Sequence, residues 1–254
     1  MNKYDFNNRT AVITGGGQGF GLDIAKRFLN SGAKVIIWDI DEELLKSAAK
    51  EVNDSNLSYN VIDVSDYSQI EKTVSEITLK NKIDILINNA GTNLPEPFLK
   101  VKKSSLDMLL EVNTKSAFNI AKICTDKILK LKNRKKVGAS IINTSSMFGL
   151  VAGPNRTVYS MTKFGIEGLT KGMAVDLAKF NIRVNSVCPT FVATPRAKKY
   201  LANKEFKKYA LKNIPLGRIA TESDVATAIT FLSSDAASMI TGTNIIIDGG
   251  WTAK

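Results

Sequence analysis

Thr14-Gly15-Gly16-Gly17-Gln18-Gly19-Phe20-Gly21-Leu22 follows directly on the apolar run Ala11–Thr14, and its reading decides the fold. A turn this rich in residues without Cβ lets backbone N–H groups approach an anion such as a pyrophosphate. Leu22, Ala25, Phe28 and Leu29 then recur at helical spacing, so the turn opens a helix whose positive end aims back at the same spot. Strand, glycine turn and amphipathic helix together start a βαβ unit.

Working outward, short β-branched runs alternate with longer amphipathic stretches to the end of the chain. Seven strand candidates are Ala11–Thr14, Val35–Asp39, Ser58–Asp63, Ile85–Asn88, Ser140–Thr144, Arg183–Cys188 and Asn244–Asp248, and their apolar character predicts burial on both faces. Ile166, Leu169, Met173 and Leu177 mark a later helix by the same spacing. The expected fold is α/β: a doubly wound, seven-stranded parallel sheet of Rossmann type, flanked by helices. No composition shift or repeat interrupts it, so residues 1–254 are expected to form a single domain, with a lid-like substrate segment at about 190–215.

The bulk numbers narrow the function. A chain of 254 residues can bury a core without staples. Cys124 and Cys188 are too few for a disulfide framework, and no cluster has metal-ligand spacing, so no metal is expected. Histidine is absent, which excludes a His-dependent triad and leaves acid/base work to Tyr, Lys or carboxylates. Met1-Asn2-Lys3-Tyr4-Asp5-Phe6 is no signal peptide and no apolar run spans a bilayer, so a soluble cytoplasmic protein without a membrane partner is expected. The charge of +11 is not interleaved with aromatics in any nucleic-acid motif, so no nucleic-acid partner is expected. Basic charge is densest from Thr194 to Asn213, where Arg196 and six lysines face one acid, Glu205. That segment follows the sixth strand, where loops lie over the ligand crevice of an open parallel sheet.

Asp39 ends the second strand, eighteen residues beyond Gly21. A carboxylate there accepts hydrogen bonds from both hydroxyls of an adenosine ribose and repels a 2′-phosphate, which predicts NAD rather than NADP. No Arg or Lys stands in the glycine turn or directly after Asp39 to hold such a phosphate.

Tyr159 and Lys163 are four apart on a predicted helix, so the ammonium can favour the ionised phenol. With six Tyr and 35 Lys+Arg, Tyr-x-x-x-basic is expected about 0.8 times by chance, and Tyr200-Leu-Ala-Asn-Lys204 is a second copy. Context separates them, because Ser146 stands thirteen residues before Tyr159 at the end of the strand run Ile141–Ser145, whereas Val187 stands there before Tyr200. Moving a phenol from about 10 to about 7 takes roughly 4 kcal/mol of phenolate stabilisation, which Lys163 and an oxidised nicotinamide would supply together.

Thr14 to Gly21 match T-G-x-x-x-G-x-G, and with Asp63-Val64, Asn88-Asn89-Ala90-Gly91, Asn113, Ser146 and Tyr159-x-x-x-Lys163 in order the sequence resembles the short-chain dehydrogenase/reductase family through most of its length. The resemblance implies a cofactor site of Gly15, Gln18, Gly19, Phe20, Gly21, Asp39, Asp63, Val64, Asn89, Ala90, Gly91, Tyr159, Lys163, Val192 and Thr194. Asp63 and Val64 would hold the adenine, Gly91 and its neighbours the adenine ribose, and Val192 and Thr194 the carboxamide. It also implies catalysis by Tyr159 as general acid/base, Lys163 on the nicotinamide ribose, Ser146 as oxyanion donor and Asn113 holding a water of a proton relay. Thr190 stands where the family has Gly, which puts the backbone there in doubt. The ending Asp248-Gly249-Gly250-Trp251 resembles a tail that packs on a neighbouring subunit, implying a homotetramer.

Met147, Phe148 and Phe191 are expected as apolar pocket walls, and Asn93, Asn155 and Arg156 as polar ones. Asn93, Phe148 and Arg156 are the substrate candidates, with Arg156 placed to grip a carboxylate or hydroxyls. The Cys-Pro-Thr run and the Gly-Gly-Trp-Thr-Ala ending look like members that oxidise sugars and polyols. The expected function is NAD-dependent hydride transfer to or from a secondary alcohol or ketone, on a small sugar, polyol or hydroxy acid. Reduction of a 3-oxoacyl group on a carrier protein is the alternative, and a non-catalytic nucleotide-binding protein a third.

Overall fold

The computed structural model describes residues 4–130 and 138–253. Met1, Asn2 and Lys3 of the N-terminal stretch, and Lys254 at the end of the expected domain, lie outside the described residues. The strands are β1 Thr10–Thr14, β2 Lys34–Asp39, β3 Leu57–Val61, β4 Ile85–Asn88, β5 Ala139–Thr144, β6 Ile182–Pro189 and β7 Asn244–Ile247. They form one sheet in the order β3-β2-β1-β4-β5-β6-β7, and every pairing is parallel. The chain winds outward from β1 to β3, then returns to the other side of β1 with β4. The crevice at that reversal lies between the loops after β1 and β4, which is where an open parallel sheet binds its ligand.

Successive residues of β1 and β2 point to opposite faces, and two cores result. Ala11, Ile13, Val35 and Ile37 join Phe28 of helix α1 (Gly19–Leu29) and Ile229 of a helix near the C-terminus (Glu222–Ser233). Val12, Ile36 and Trp38 pack on the other side with Ile70, Val74 and Ile120 from the helices Tyr67–Lys80 and Ser116–Leu129. Five strands are buried almost throughout, but the two outer ones depart from the prediction. β3 stops at Val61 rather than Asp63 and leaves Tyr59 and Val61 exposed, and β7 leaves Ile246 exposed. Each pairs on one side only, so part of it lacks cover.

The helix Thr157–Leu177 also differs from its predicted face. Its buried stripe includes Thr162, Lys163, Ile166, Glu167 and Thr170, whereas Leu169, Met173 and Leu177 are only partly covered. Polar groups of the sheet explain this: Asn143 Nδ2 donates to Thr170 Oγ1 at 2.9 Å, and Ser186 Oγ donates to the Glu167 carboxylate at 2.9 and 3.0 Å. Buried polar atoms so paired cost little. The 194–213 segment is not an open loop but two short helices, Pro195–Leu201 and Lys204–Asn213, capped by Thr194 and Asn203.

Candidate active site

The turn after β1 has the tight geometry its composition implies. Gly15 and Gly19 have φ of +64° and +63°, a region that disfavours side chains. Gly21 has no room for one, because a Cβ there would lie 2.1 Å from the Gly15 carbonyl oxygen and 2.8 Å from Asn89 Nδ2. Thr14 and Asn89 lock the turn to the loop after β4. Asn89 and Ala90 donate their backbone N–H groups to Thr14 Oγ1 at 2.9 Å each, and Asn89 Nδ2 donates to the carbonyls of Thr14 at 3.0 Å and Gly15 at 3.1 Å. One polar residue at the end of β1 thus ties both sides of the crevice together. This role of Thr14 was missed, since in a sequence it reads only as the strand's last residue.

Asp39 stands at the end of β2, where Oδ2 accepts the Gly17 N–H at 3.1 Å and Oδ1 the Asp41 N–H at 3.3 Å. Asp63 accepts from the Ser65 N–H and hydroxyl at 2.9 and 2.6 Å. A cavity of about 370 Å³ is lined by Gly15, Gln18, Gly19, Phe20, Gly21, Asp39, Asp63, Val64, Asn89, Ala90, Gly91 and Thr194. These are the predicted cofactor residues, apart from Val192, Tyr159 and Lys163, which line a second cavity beside it. The fit to a dinucleotide rests on a cradle that a side chain would fill, on the N-terminus of α1 behind it, and on the carboxylate at its rim.

The second cavity, of about 250 Å³, shares Phe20, Asn89, Gly91, Thr92, Thr194 and Arg196 with the first. Ser146, Tyr159 and Lys163 converge in it. Ser145 lines the same cavity, but its hydroxyl donates to the Lys163 carbonyl at 3.3 Å. Ser146 Oγ accepts the Phe148 N–H at 3.2 Å and donates to the Pro189 carbonyl at 3.5 Å. Lys163 Nζ donates to the Thr144 carbonyl at 2.8 Å and lies 5.7 Å from the centre of the Tyr159 ring.

Burial pulls the Lys163 ammonium down to about 8, against the charge of Glu167. Burial pushes the Tyr159 phenol upward, while the nearby Ser146 hydroxyl and the Arg156 charge pull it back. In the protein alone the phenol therefore moves opposite to the direction expected from Lys163, since desolvation of the phenolate is the largest influence. Glu167, four residues beyond Lys163, accepts from Ser186 Oγ, Cys188 Sγ at 3.3 Å and Asn244 Nδ2 at 3.1 Å. The apolar periodicity of that helix hid it. Burial and the neighbouring carboxylate push the Cys188 thiol up to about 12, as expected of a buried thiol that is no nucleophile.

Asn113 sits in a π-helical turn, Glu111–Lys115, of the kind often found at functional sites. Its carboxamide accepts the Thr92 N–H at 2.8 Å and donates to the Thr92 carbonyl at 2.9 Å and to Thr162 Oγ1 at 3.2 Å. Asn113 thus clamps the loop after β4, with its Oδ1 and Lys163 Nζ both beside Gly91.

Among the expected pocket walls, Asn93, Arg156 and Phe191 line the second cavity. Phe148 does not: it is buried behind the wall, edge-on to Tyr159 at 6.4 Å and to Phe191 at 6.2 Å. Met147 is buried and Asn155 exposed, and neither lines the cavity. Thr190 fits where a glycine was expected, without positive φ, its N–H on the Ile247 carbonyl at 3.0 Å. Tyr200 lines the cavity as well, although Lys204 begins the next helix and cannot share its face. Thr92 was missed, and Arg196, expected only as part of the basic segment over the crevice, crosses it to the Gly91 carbonyl at 3.3 Å and Thr92 Oγ1 at 2.7 Å. The lysines of the 194–213 segment line neither cavity and are exposed to solvent. Trp251 packs within the chain, on Phe191 and Tyr209 at 5.7 Å each.

Comparison with known proteins agrees with this layout. A family model described as enoyl-(acyl carrier protein) reductase matches residues 15–252. A 3-oxoacyl-[acyl-carrier-protein] reductase from Thermotoga maritima is 37% identical over 245 residues, spanning 95% of this chain and 97% of that protein. An NAD-dependent glycerol dehydrogenase from Listeria innocua is 36% identical over 253 residues, 98% of this chain and 97% of that one. The crystal structure of a gluconate 5-dehydrogenase from Burkholderia cenocepacia J2315, in complex with NADP and tartrate, superposes with a TM-score of 0.92 at 29% identity, covering 99% of this chain and 98% of that one.

Proposed function

Because the chain belongs to the short-chain dehydrogenase/reductase family, we propose that it is an NAD-preferring oxidoreductase that interconverts a secondary alcohol and a ketone on a small hydroxylated substrate. The observation that carries this is the convergence of Ser146, Tyr159 and Lys163 in a cavity continuous with the glycine-turn cavity. The bound dinucleotide supplies the hydride acceptor or donor. Tyr159 moves the proton: its neutral phenol gives a proton to the oxygen of a ketone as it becomes an alkoxide, and its phenolate takes one from an alcohol. Ser146 donates to the same oxygen while negative charge develops there. Lys163, fixed by the Thr144 carbonyl, holds the nicotinamide ribose and favours the phenolate. Asn113, beside it across Gly91, carries the relay toward solvent.

The preference for NAD rests on Asp39, whose carboxylate stands at the rim of the first cavity and whose charge opposes a 2′-phosphate. We expect kcat/KM to favour NADH over NADPH by at least about 10-fold, close to 1.4 kcal/mol, and Asp39→Ser to narrow that ratio. Equal or better kcat/KM with NADPH in the unaltered protein would refute the preference.

The same proposal includes self-association, with a homotetramer as the expected form. The helix Thr157–Leu177 shows solvent Met161, Phe164 and Val175, and beside them Gly168 and Gly172 have open space above them. An apolar stripe with small residues suits close packing of a second copy. The lid role of residues 190–215 rests on the cavity-lining of Arg196, Tyr200 and Phe206. No helix among the described residues is long and apolar enough to cross a membrane, and a cytoplasmic location belongs to the same proposal. Reduction of a 3-oxoacyl group on a carrier protein is the second possibility. The exposed lysines of the 194–213 segment favour it, since they offer a basic face to an acidic carrier.

A further inference from the structure

The substrate cavity has an unusual charge balance. Among the described residues three cations line it, Arg156, Lys163 and Arg196, and no Asp or Glu does. Two of them are already engaged: Lys163 Nζ on the Thr144 carbonyl, and Arg196 on the Gly91 carbonyl and Thr92 Oγ1. Arg156 is not. Among the described residues its one hydrogen bond is a long contact of 3.4 Å from Nη1 to the carbonyl of its neighbour Asn155, and its Nε is buried with no partner. No carboxylate forms an ion pair with it among the described residues, Glu96 included, although the Glu96 N–H bonds the Asn155 carbonyl at 3.1 Å.

The placement of Arg156 is specific. Asn155 adopts φ +58°, a left-handed conformation at the entry to the helix, and Arg156 is its N-cap residue. Tyr159 follows three residues later, on the same face one turn along. Two further buried polar atoms on the cavity-lining residues lack partners, Asn93 Oδ1 and Thr190 Oγ1. Buried polar atoms without partners are expensive, so a cluster of them around one cavity marks what a ligand must satisfy. A guanidinium with an idle fork asks for a planar, two-oxygen anion, and the amide and hydroxyl ask for hydroxyl groups beside it.

We infer that the substrate is a short hydroxy acid or its oxo counterpart, and that Arg156 determines this specificity by binding the carboxylate while Tyr159 serves the neighbouring carbinol or ketone oxygen. The inference rests on the proposed hydride transfer for what becomes of the bound acid, but the binding itself does not depend on turnover. It separates this chain from an enzyme for neutral polyols, because an uncharged analogue leaves Arg156 unpaired.

The test measures binding to the NADH-loaded protein, where an alcohol substrate cannot react. Hydroxy acids of about three to six carbons are each compared with the neutral analogue in which CH2OH replaces every carboxylate: lactate with propane-1,2-diol, tartrate with threitol, gluconate with glucitol. At least one acid should bind about 50-fold or more tighter than its partner. Arg156→Gln should weaken that acid by a similar factor and leave NADH and the neutral analogue within about twofold, while Arg156→Lys should recover part of the loss. Acids that bind no tighter than their analogues, or an Arg156→Gln protein that loses acid and analogue alike, would overturn the inference. An acid held through Arg156 with no hydride exchanged by any compound sinks the oxidoreductase proposal alone. Faster oxidation of the neutral partners, with no binding advantage for the acids, sinks the inference alone.

Discussion

Tyr159→Phe is expected to lower kcat by about 10³-fold while NADH binds within about twofold of the unaltered protein. The substitution deletes one oxygen and leaves the ring, so the edge-on packing with Phe148 at 6.4 Å survives. On the proposed mechanism, what is lost is the group that exchanges a proton with the reacting oxygen. Ser146 remains to donate to that oxygen on the same mechanism. Its Oγ bonds the Phe148 N–H and the Pro189 carbonyl, and Lys163 Nζ is held on the Thr144 carbonyl, so no base among the described residues is hydrogen-bonded to the serine to take its proton. Steady-state turnover beside NADH titration checks both halves. A variant that retains more than about a tenth of kcat would place the acid/base elsewhere, and one that loses NADH binding would make Tyr159 a structural residue.

Gly21→Ala is expected to weaken NADH binding by about 100-fold or more, a loss near 3 kcal/mol. The added methyl would lie 2.1 Å from the Gly15 carbonyl oxygen and 2.8 Å from Asn89 Nδ2. Neither can yield cheaply, because Asn89 Nδ2 is the donor that holds the Thr14 and Gly15 carbonyls. Relief must come from moving the turn away from the start of α1, which takes its N–H groups off the anion. Gly165→Ala is the control, since a Cβ there meets only Thr114 Cγ2 at 3.5 Å, an ordinary van der Waals contact. Calorimetric titration with NADH distinguishes the two, and equal affinities in both variants would show that the turn does not cradle the cofactor.

The nucleotide half of the site was legible in the sequence because its requirements are backbone requirements. Glycines at positions 15, 19 and 21 report positive φ or lack of space directly, and Asp39 reports the end of a strand. The parallel sheet follows from the same βαβ logic, which places the ligand crevice at the loop after the first strand, whereas the strand order itself is not legible in the sequence. Polar residues spent on bracing were less visible. Thr14 and Glu167 bond to atoms from distant parts of the chain, through Asn89 in one case and through Ser186 and Asn244 in the other. Apolar periodicity cannot report such pairs, and it placed the buried face of the Tyr159 helix on Leu169 and Met173 rather than on Thr162, Glu167 and Thr170. The substrate wall was read in part: Arg156 and Asn93 line it, whereas Phe148 turned behind it to pack on Tyr159 and Phe191. Side-chain direction in a 3₁₀ turn such as Met147–Gly149 is set by tertiary contacts, and the basic lysines beyond Thr194 show that charge density alone does not mark the lining of a site.

The central claim is that Tyr159, Ser146 and Lys163 serve hydride transfer between a dinucleotide and a carbinol carbon. The most direct measurement is transfer of deuterium from NADH deuterated at C4 of the nicotinamide to a short 2-oxo or 3-oxo acid, followed by mass spectrometry of the product. The account predicts one deuterium on the new carbinol carbon with the unaltered protein, formed about 10³-fold more slowly with Tyr159→Phe. NADH consumed without deuterium at that carbon, or label transferred equally fast by both proteins, would contradict it.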